Sequence, residues 1–408
     1  MNPPFRSTIM ARPNNTNKRV FYATQAVAVG DNAATNVIDS WSGGTVIDGS
    51  GKVMIAHGIQ SIGVSTNFNL EQIFELGQLA VYEFYEDLPE IEITLEKVLD
   101  GYSLMYHCGT VSATSPTLVG RSDAKADIRM AIGLDKGSYM ANGVNSGIAE
   151  LYCSGMYITN VSYSLGTDGN FTESTTFVGN DKKWLLENDG DTTGLLLLDG
   201  NGTLTGVFDS TVFGADTPAG AQNSVLRRQN VVIGSGGATY GTGVFRTHVP
   251  DILEGGLTGD LPNSVYITET GGPFLQSLSM SVDLAREDIN QLGVKSPYHR
   301  YVNFPVDVTC DLEVMATAGD NVDAVSTGVS NGKNLSNHGI MIVLDDSTVF
   351  QLGRKNKLSS ISYGGGDAGG GSATITYSFI NSNEFAVLHS GDPITMTADN
   401  YFNDWYTV

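Results

Sequence analysis

Positive charge is scarce in this chain of 408 residues. Lys and Arg number 22 against 44 Asp and Glu, which gives a formal net charge of −22. A surface with this balance has no continuous patch that could neutralise phosphates, and this argues against a protein that wraps nucleic acid. DNA could still pass such a surface without being held on it.

Cysteine is also rare. Cys108, Cys153 and Cys310 are odd in number and have no CxxC spacing, which argues against a disulfide framework and against a zinc site. The six histidines are scattered without an HExxH or other paired spacing. We therefore expect no cofactor and no metal, and assembly in a reducing cytoplasm. Because no apolar run approaches ~18 residues, we expect no transmembrane helix and no membrane partner.

Motifs for catalysis are equally weak. GVSNG at 328–332 matches GxSxG but lacks the hydrophobic strand before it and the helical pattern after it that a nucleophile elbow needs. GGGDAGGGS at 364–372 lacks the Lys-Ser/Thr of a phosphate-binding loop. ENDGDTTG at 187–194 could bind a calcium ion but lacks the EF-hand pattern. We expect no enzyme, although the geometry of a glycosidase acid pair cannot be read from sequence.

Glycine and β-forming residues are abundant. The chain has 49 Gly, and 41% of its residues are hydrophobic, so short strands joined by tight turns around a normal core are favoured. Residues 1–30 contain Arg6, Arg12, Lys18 and Arg19 and no acid, which is typical of an extended basic arm or a solvated tail. The sequence predicts a mainly β fold.

An internal repeat is the strongest signal. Residues 59–77 (IQSIGVSTNFNLEQIFELG) align with residues 275–293 (LQSLSMSVDLAREDINQLG) at a constant offset of 216, with seven identities in 19 positions. The identities include Glu71 with Glu287 and Gly77 with Gly293, and Asn67 aligns with Asp283.

Further blocks extend the repeat. IEITLE (91–96) matches VDVTCD (306–311) after a one-residue slip, ITNVSY (158–163) parallels LSSISY (358–363), and IRMAIG (128–133) is a partner for IMIVLD (340–345). We predict two tandem antiparallel sandwich or barrel domains at 53–185 and 271–391. The remaining segments are an arm and lead-in at 1–52, a β-rich connecting lobe at 186–270 and a tail at 392–408.

Each domain is predicted to contain one short helix. Asn67 and Asp283 suit a helix N-cap, and Gly77 and Gly293 suit the C′ position that ends a helix. Two or three turns fit between these positions.

Acidic residues alternate with apolar ones in one strand of each copy. Glu90, Glu92 and Glu96 fall on one face with Thr94 and oppose Ile91, Ile93 and Leu95. In the second copy the corresponding acids are Asp307, Asp311 and Glu313. The stripe is either an ordinary solvated strand face or the lining of a channel, where carboxylates would repel phosphates.

The block VDLAREDINQLGVKSPYHRYVNFPVDVTCDLEV (282–314) resembles the tube-domain signature of phage tail tube proteins. Arg286, Glu287 and Pro305 belong to this signature, whereas the first copy has Leu70 at the position of Arg286 and EFYEDLPE (83–90) in place of HRYVNFPV. The resemblance covers about 60% of the chain. It implies a hexagonal ring of tube domains, hence a trimer of this duplicated chain, stacked into a conduit for genome ejection.

The resemblance also implies partners and a location. The chain would contact itself within and between rings, other tail proteins and a sheath where one is present, and double-stranded DNA would pass without specific binding. It would be assembled in the host cytoplasm and reside in the virion tail. The alternatives are another tail component on the same domain, such as a hub or terminator, or a secreted glycan-binding β protein. The last is disfavoured by three Trp, no signal peptide and no disulfide framework.

Overall fold

The chain is mainly β, as predicted, with several antiparallel sheets. The computed structural model describes residues 25–31, 38–39, 53–133, 147–186, 225–294, 299–365 and 371–389, apart from short gaps inside these ranges, together with Pro297 and Asp392.

The first half contains eleven of the described strands and two one-turn helices. They are β1 (Gln25–Asp31), β2 (Ile38–Asp39), β3 (Val53–Ile55), β4 (Ile59–Asn67), β5 (Leu70–Phe74), β6 (Val81–Glu86), β7 (Glu90–Val98), α1 (Met105–Cys108), α2 (Leu118–Arg121), β8 (Ala126–Gly133), β9 (Gly147–Gly166), β10 (Thr172–Gly179) and β11 (Asp181–Leu186).

The remainder contains sixteen of the described strands and two 3-10 turns, at Arg228–Asn230 and Asp251–Leu253. The strands are β12 (Ala238–Tyr240), β13 (Gly243–Phe245), β14 (His248–Pro250), β15 (Leu257–Thr258), β16 (Ser264–Tyr266), β17 (Leu275–Asp283), β18 (Arg286–Ile289), β19 (His299–Val302), β20 (Asp307–Met315), β21 (Val329–Ser330), β22 (Lys333–Asn334), β23 (Met341–Val343), β24 (Val349–Gln351), β25 (Lys357–Gly364), β26 (Thr374–Ser382) and β27 (Ala386–Leu388).

One antiparallel sheet of eight strands runs through both halves, in the order β4-β7-β10-β9-β17-β20-β26-β25. We call it the shared sheet. The first half contributes β4-β7-β10-β9 and the second contributes β17-β20-β26-β25. The halves meet where β9 pairs with β17. The shared sheet therefore presents the same four-strand order twice.

A second layer also repeats. In the first half the order is β3-β1-β8-β9-β11, and in the second it is β16-β14-β23-β24-β27. The long strand β9 serves both layers, since its first part pairs with β8 and its last part with β10 and β17. Because β1 and β14 lie before residues 53 and 271, the second layer uses parts of the predicted lead-in and connecting lobe.

Several predicted segments fall outside the described residues. These are most of the basic arm, the 187–194 turn and the tail after residue 392. The described part of the connecting lobe forms β12 to β16, of which β14, β15 and β16 join the six-stranded layer of the second half.

The predicted helices at 67–77 and 283–293 are wrong. Leu70–Phe74 is β5, which pairs with β6, and Arg286–Ile289 is β18, which pairs with β19. Gly77 and Gly293 do have positive φ, 91° and 86°, but they lie in hairpin turns and not at a helix end. Because the hairpin partner supplies the backbone hydrogen bonds, a helix of two turns, marginal by itself, does not form. We call β5–β6 the first hairpin and β18–β19 the second hairpin.

The strand pairing also corrects the predicted alignment of the acidic strands. Ile93 lies opposite Phe177 in β10, and Cys310 lies opposite Phe379 in β26. Glu96 is therefore equivalent to Glu313, and Glu90 to Asp307, an offset of 217 where sequence alignment gave 215. The cause is that the loop between β19 and β20 is one residue longer than the loop between β6 and β7. Apolar alternation alone does not show where that extra residue lies.

The buried faces of the two layers form one apolar core. Ile91, Ile93 and Leu95 of β7 are buried in the same cluster as Val308, Cys310 and Leu312 of β20. Alternation with period two sends their sequence neighbours to the opposite face. The second layers cover this core, so the other face of the shared sheet is left uncovered by them.

A buried carboxylate anchors helix α1 inside the first half. Glu173 of β10 accepts hydrogen bonds from the backbone N–H of Met105 (2.7 Å) and Tyr106 (3.0 Å) and from the hydroxyl of Tyr163 (2.9 Å). Burial raises the pKa of Glu173. The equivalent residue in the second half is Ile375, opposite Tyr363. The two halves therefore share strand order but not core chemistry.

We predict that Glu173→Ala destabilises the chain by about 3 kcal/mol, because three buried donors lose their acceptor. Glu92→Ala, an exposed acid on the other face of the same sheet, is the matched control and should change stability by less than about 0.5 kcal/mol. Urea unfolding followed by circular dichroism measures both. Equal stability of the two variants would show that the Glu173 carboxylate does not hold α1.

Candidate functional site

The uncovered face of the shared sheet is acidic along two of its strands. Cross-strand partners lie on the same face, and the described strands place seven acids and one cation, Lys357, on this face; the Arg300 guanidinium of the second hairpin also lies 3.8 Å from the Glu90 carboxylate. The acids are Glu90, Glu92, Glu96, Asp283, Asp307, Asp311 and Glu313. Glu92, Glu96, Asp283, Asp307 and Asp311 are exposed, and Glu90 and Glu313 are partly exposed.

Small polar residues fill the space between the acids. Neighbouring strands place Ser61, Ser65, Ser162, Ser164, Ser174, Thr176, Ser277, Ser279, Ser281, Ser360, Ser362 and Ser378 on the same face. Ser61 donates to Glu96 (3.1 Å) and Ser277 donates to Glu313 (2.8 Å), so the same contact occurs at equivalent positions of both halves. The result is a smooth, polar, anionic surface.

Among the described residues, β4 and β25 are each paired on one side only, so they form the two edges of the shared sheet, which we call its open edges. Its internal junction shows what an equivalent edge looks like when it is paired. At that junction Met280 of β17 lies opposite Tyr163 of β9, and each is only 1% exposed. The equivalent residues at the open edges are Val64, which is 36% exposed, and Tyr363, which is 54% exposed. Apolar side chains buried at the junction therefore have exposed counterparts at both edges.

Matching irregularities establish these equivalences. A β-bulge occurs at Gln60 in β4 and at Gln276 in β17, and each amide donates to a carbonyl two residues earlier, at 3.2 Å in both cases. A second bulge occurs at Thr159 in β9 and at Ser359 in β25. The offsets of 216 between β4 and β17 and 200 between β9 and β25 follow directly.

The second hairpin is fastened to the first half of its own chain. The Arg286 guanidinium donates to the carbonyls of Ile158 and Ser122, both at 2.8 Å, and lies 4.7 Å from the centre of the Tyr157 ring. Arg300 donates to Asn180 (3.1 Å). Desolvation lowers the pKa of Arg286 to about 10, and the carbonyl acceptors compensate for its burial.

The other signature residues hold local geometry. Asn67 and Asp283 end β4 and β17, and the Asn67 amide donates to Asn69 at 3.1 Å. Glu287 accepts from Tyr301 and Asn303 within its own hairpin, while Glu71, its equivalent, is exposed. Pro305 follows Phe304 through a cis peptide bond. The structure brings none of them together into a reactive site.

Neither a metal cluster nor a nucleophile elbow is formed by the described residues. No group of three or more His, Cys, Asp or Glu side chains among them has the arrangement of a metal site. Ser330 lies in the two-residue strand β21, which pairs with β22, whereas a nucleophile elbow places its serine between a strand and a helix. Among the same residues, every helix is too short or too polar to span a bilayer.

Comparison with known proteins gives similarity only to solved structures. No family model and no curated protein matches the chain. It is similar to the anti-feeding prophage tube-terminating cap, at 13% identity over 44% of this chain and 99% of the cap, with a TM-score of 0.28. It is also similar to a chain of an extracellular contractile injection system sheath–tube complex (13% identity, 42% and 94% covered, TM-score 0.27) and to Hcp (9%, 40% and 98%, 0.22).

The similar structures are a prophage tube-terminating cap, a chain of a contractile injection system, and the protein Hcp. TM-scores of this size do not assign a fold or a role to the chain. Its own geometry gives the uncovered acidic face and the two open edges as the candidate functional surfaces. Sequence alternation predicted that the acids of β7 share one strand face and that those of β20 do so too, but it gave no sign that β4 and β25 form the edges of the described sheet.

Proposed function

We propose that this chain is a structural, non-enzymatic protein of a phage tail tube, and that three copies close their shared sheets into one ring. The observation that supports this most strongly is the internal β9–β17 junction, which displays within one chain the contact that β25 and β4 could make between chains. A closed ring would bury the exposed Val64 and Tyr363 as Met280 and Tyr163 are buried.

The internal β9–β17 junction provides a template for the register that we propose between chains. Ser279 lies opposite Ser164, Met280 opposite Tyr163, and Ser281 opposite Ser162. With the two offsets, Gly63 of one copy would lie opposite Gly364 of the next, Val64 opposite Tyr363, and Ser65 opposite Ser362. Both strands extend over eight or nine residues, enough for a continuous hydrogen-bonded ladder.

The composition of the open edges favours such pairing. Exposed edge strands of monomeric proteins usually carry Lys, Pro or other features that block pairing with another chain. β4 (IQSIGVSTN) has no charged residue and no Pro, and β25 (KLSSISYG) has one Lys, at its start. Two long, nearly uncharged edges on one molecule suit a head-to-tail contact, which generates a ring when its rotation closes.

The number of copies follows from the resemblance to tail tube proteins. Six tube domains per ring, at two per chain, correspond to three chains. Eight strands from each of three chains would give a barrel of 24 strands. The halves would then alternate around the ring in quasi-equivalent positions.

Closure would turn the acidic face toward the bore. Because the second layers cover the other face of the shared sheet, they would form the outside of the ring. Seven acids and one Lys per chain amount to −6, or −18 per ring. Carboxylates at this density would repel phosphates over roughly 8 Å at physiological salt, so DNA would slide without adsorbing. Stacked rings of this chain, other tail proteins and a possible sheath would be its partners in the virion tail.

Cysteine cross-linking tests the register. We predict that Ser65→Cys with Ser362→Cys forms disulfides between chains on mild oxidation, giving covalent species up to three chains on a denaturing gel. The matched control shifts one partner by one residue, Ser65→Cys with Ile361→Cys. Because neighbouring strand residues point to opposite faces, the control should cross-link poorly. Equal cross-linking of both pairs, or none in either, would contradict the proposed edge contact.

Charge reversal tests the conduit. Replacing Glu92, Glu96, Asp307 and Asp311 by Lys changes each chain by +8, or +24 per ring of three. We predict that tubes still form but that DNA leaves assembled virions more slowly, most of all at low salt, because cation–phosphate contacts weaken steeply with salt. Ejection rates at two salt concentrations measure this. Normal ejection at low salt from intact tubes would place these acids outside the bore.

The number of rings in each virion distinguishes a tube protein from an end component of the tail. A single ring of this chain per virion would indicate a hub or terminator.

A further inference from the structure

The two hairpins occupy equivalent positions but have different surroundings. The second hairpin extends from β17 and docks on the first half, where Arg300 is 7% exposed. The first hairpin extends from β4, at the open edge. Its residues at the positions of Arg286 and Arg300 are Leu70 and Phe84, which are 56% and 54% exposed. The first hairpin thus exposes the positions through which the second one docks.

The surfaces beneath the hairpins also correspond. Tyr157 of β9, opposite Val178, lies under the second hairpin, and both are buried. The equivalent pair in the second half is Lys357, opposite Ile380. Lys357 is exposed and Ile380 is partly exposed. The docking surface present on the first half therefore has a counterpart on the second half that is exposed at Lys357 and partly exposed at Ile380.

The contact between Tyr157 and His299 has a counterpart in which both residues differ. The Tyr157 hydroxyl lies 3.4 Å from Nδ1 of His299, and the two rings meet edge to face. His299 pairs with Ile289 in the second hairpin, and Glu83 pairs with Ile73 at the same position of the first. The tyrosine–histidine contact thus corresponds to a lysine and a glutamate, which have opposite charges.

We propose that the first hairpin docks on the second half of a neighbouring copy, and that Glu83 forms an ion pair there with Lys357 of that copy. This rests on the proposed function, because pairing of β4 with β25 is what would bring the two surfaces together. Leu70 would lie over the Lys357 stem as Arg286 lies over Tyr157. Apolar contact and one ion pair would replace the guanidinium hydrogen bonds of the internal dock.

The charge of the first hairpin supports this partner. Residues 68–87 contain Glu71, Glu75, Glu83, Glu86 and Asp87 and no Lys or Arg. Lys357 is the one cation that the described strands place on the uncovered face of the shared sheet. The anionic hairpin therefore has a cation at the position where its equivalent meets a tyrosine.

The replacement of the Tyr157–His299 contact by a Lys357–Glu83 ion pair would also determine which halves meet. A second hairpin on the wrong surface would place His299 against Lys357 and bury Arg286 and Arg300 beside that cation. A first hairpin on the wrong surface would lose the hydrogen bonds that Arg286 donates to the carbonyls of Ile158 and Ser122. Such mismatches penalise the wrong arrangement. The two halves would then alternate around the ring.

Charge reversal in a double-mutant cycle tests the proposal. We expect Glu83→Lys and Lys357→Glu each to weaken ring assembly about tenfold in dissociation constant, as loss of an exposed ion pair is compounded by repulsion. The double variant should return to within about threefold of wild type. Analytical ultracentrifugation at low salt measures assembly, and the losses should shrink in 1 M salt.

Matched controls separate this contact from a general charge effect. Glu71→Lys alters the same hairpin at the position of Glu287, which contacts residues of its own hairpin, and Lys183→Glu alters an exposed Lys on β11. Both should assemble like wild type. Unchanged assembly of the single reversals, or no rescue in the double variant, would overturn the proposal while leaving ring formation intact.

A second measurement covers a folding defect in either reversal. Glu83→Cys with Lys357→Cys should form a disulfide between chains in the assembled state, and absence of that cross-link in rings that form would overturn the proposal. Failure of the wild-type chain to form rings would instead remove the proposed function, and this contact with it.

Discussion

The proposed ring depends on one physical constraint. The backbone N–H and C=O groups along the two edges of the shared sheet need hydrogen-bond partners. Within the described part of the chain, each internal strand of this sheet pairs with a strand on both sides, whereas β4 and β25 each pair on one side only. Edge strands of this length that lack blocking residues are templates for another strand. The β9–β17 junction joins the equivalents of these two strands within one chain, and it is the model for the contact that we propose between copies.

The two faces of the shared sheet differ in their surroundings, since one face is buried in the core and the second layers do not cover the other. One face carries Ile93, Leu95, Val308 and Leu312, which are buried against the second layers. The other face carries the acids and the serines, and also the exposed Met315. Alternation with period two places both sets of residues on one layer of backbone, so the core stabilises the acidic face from behind.

Much of this could be predicted from the sequence, because it depends on local periodicity. The repeat at 59–77 and 275–293, the apolar alternation and the acidic stripe needed no knowledge of strand partners. The hairpins were missed because Gly77 and Gly293 suit a helix end as well as a turn, and only the pairing partner distinguishes these. The register of the acidic strands, the role of Glu173 and the open edges depend on contacts between distant segments, which periodicity does not encode.

Differences between the halves are as informative as their likeness. Tyr157 and His299 correspond to Lys357 and Glu83 at the repeat offsets of 200 and 216, but only the structure shows that Tyr157 and His299 are in contact. Arg286 and Leu70 also differ, since one docks within the chain and the other is exposed. The two halves thus keep the same strand order while the residues at their junction surfaces differ in chemistry.

The proposed ring requires that β25 of one copy pairs with β4 of the next. A density map of the assembled protein, at a resolution that separates strands, tests this most directly. We predict a closed 24-stranded barrel of three chains, with Val64 opposite Tyr363 of the neighbouring copy and the acids facing the bore. A ring in which β4 and β25 remain open to solvent, or in which the acidic face is turned outward, would contradict it.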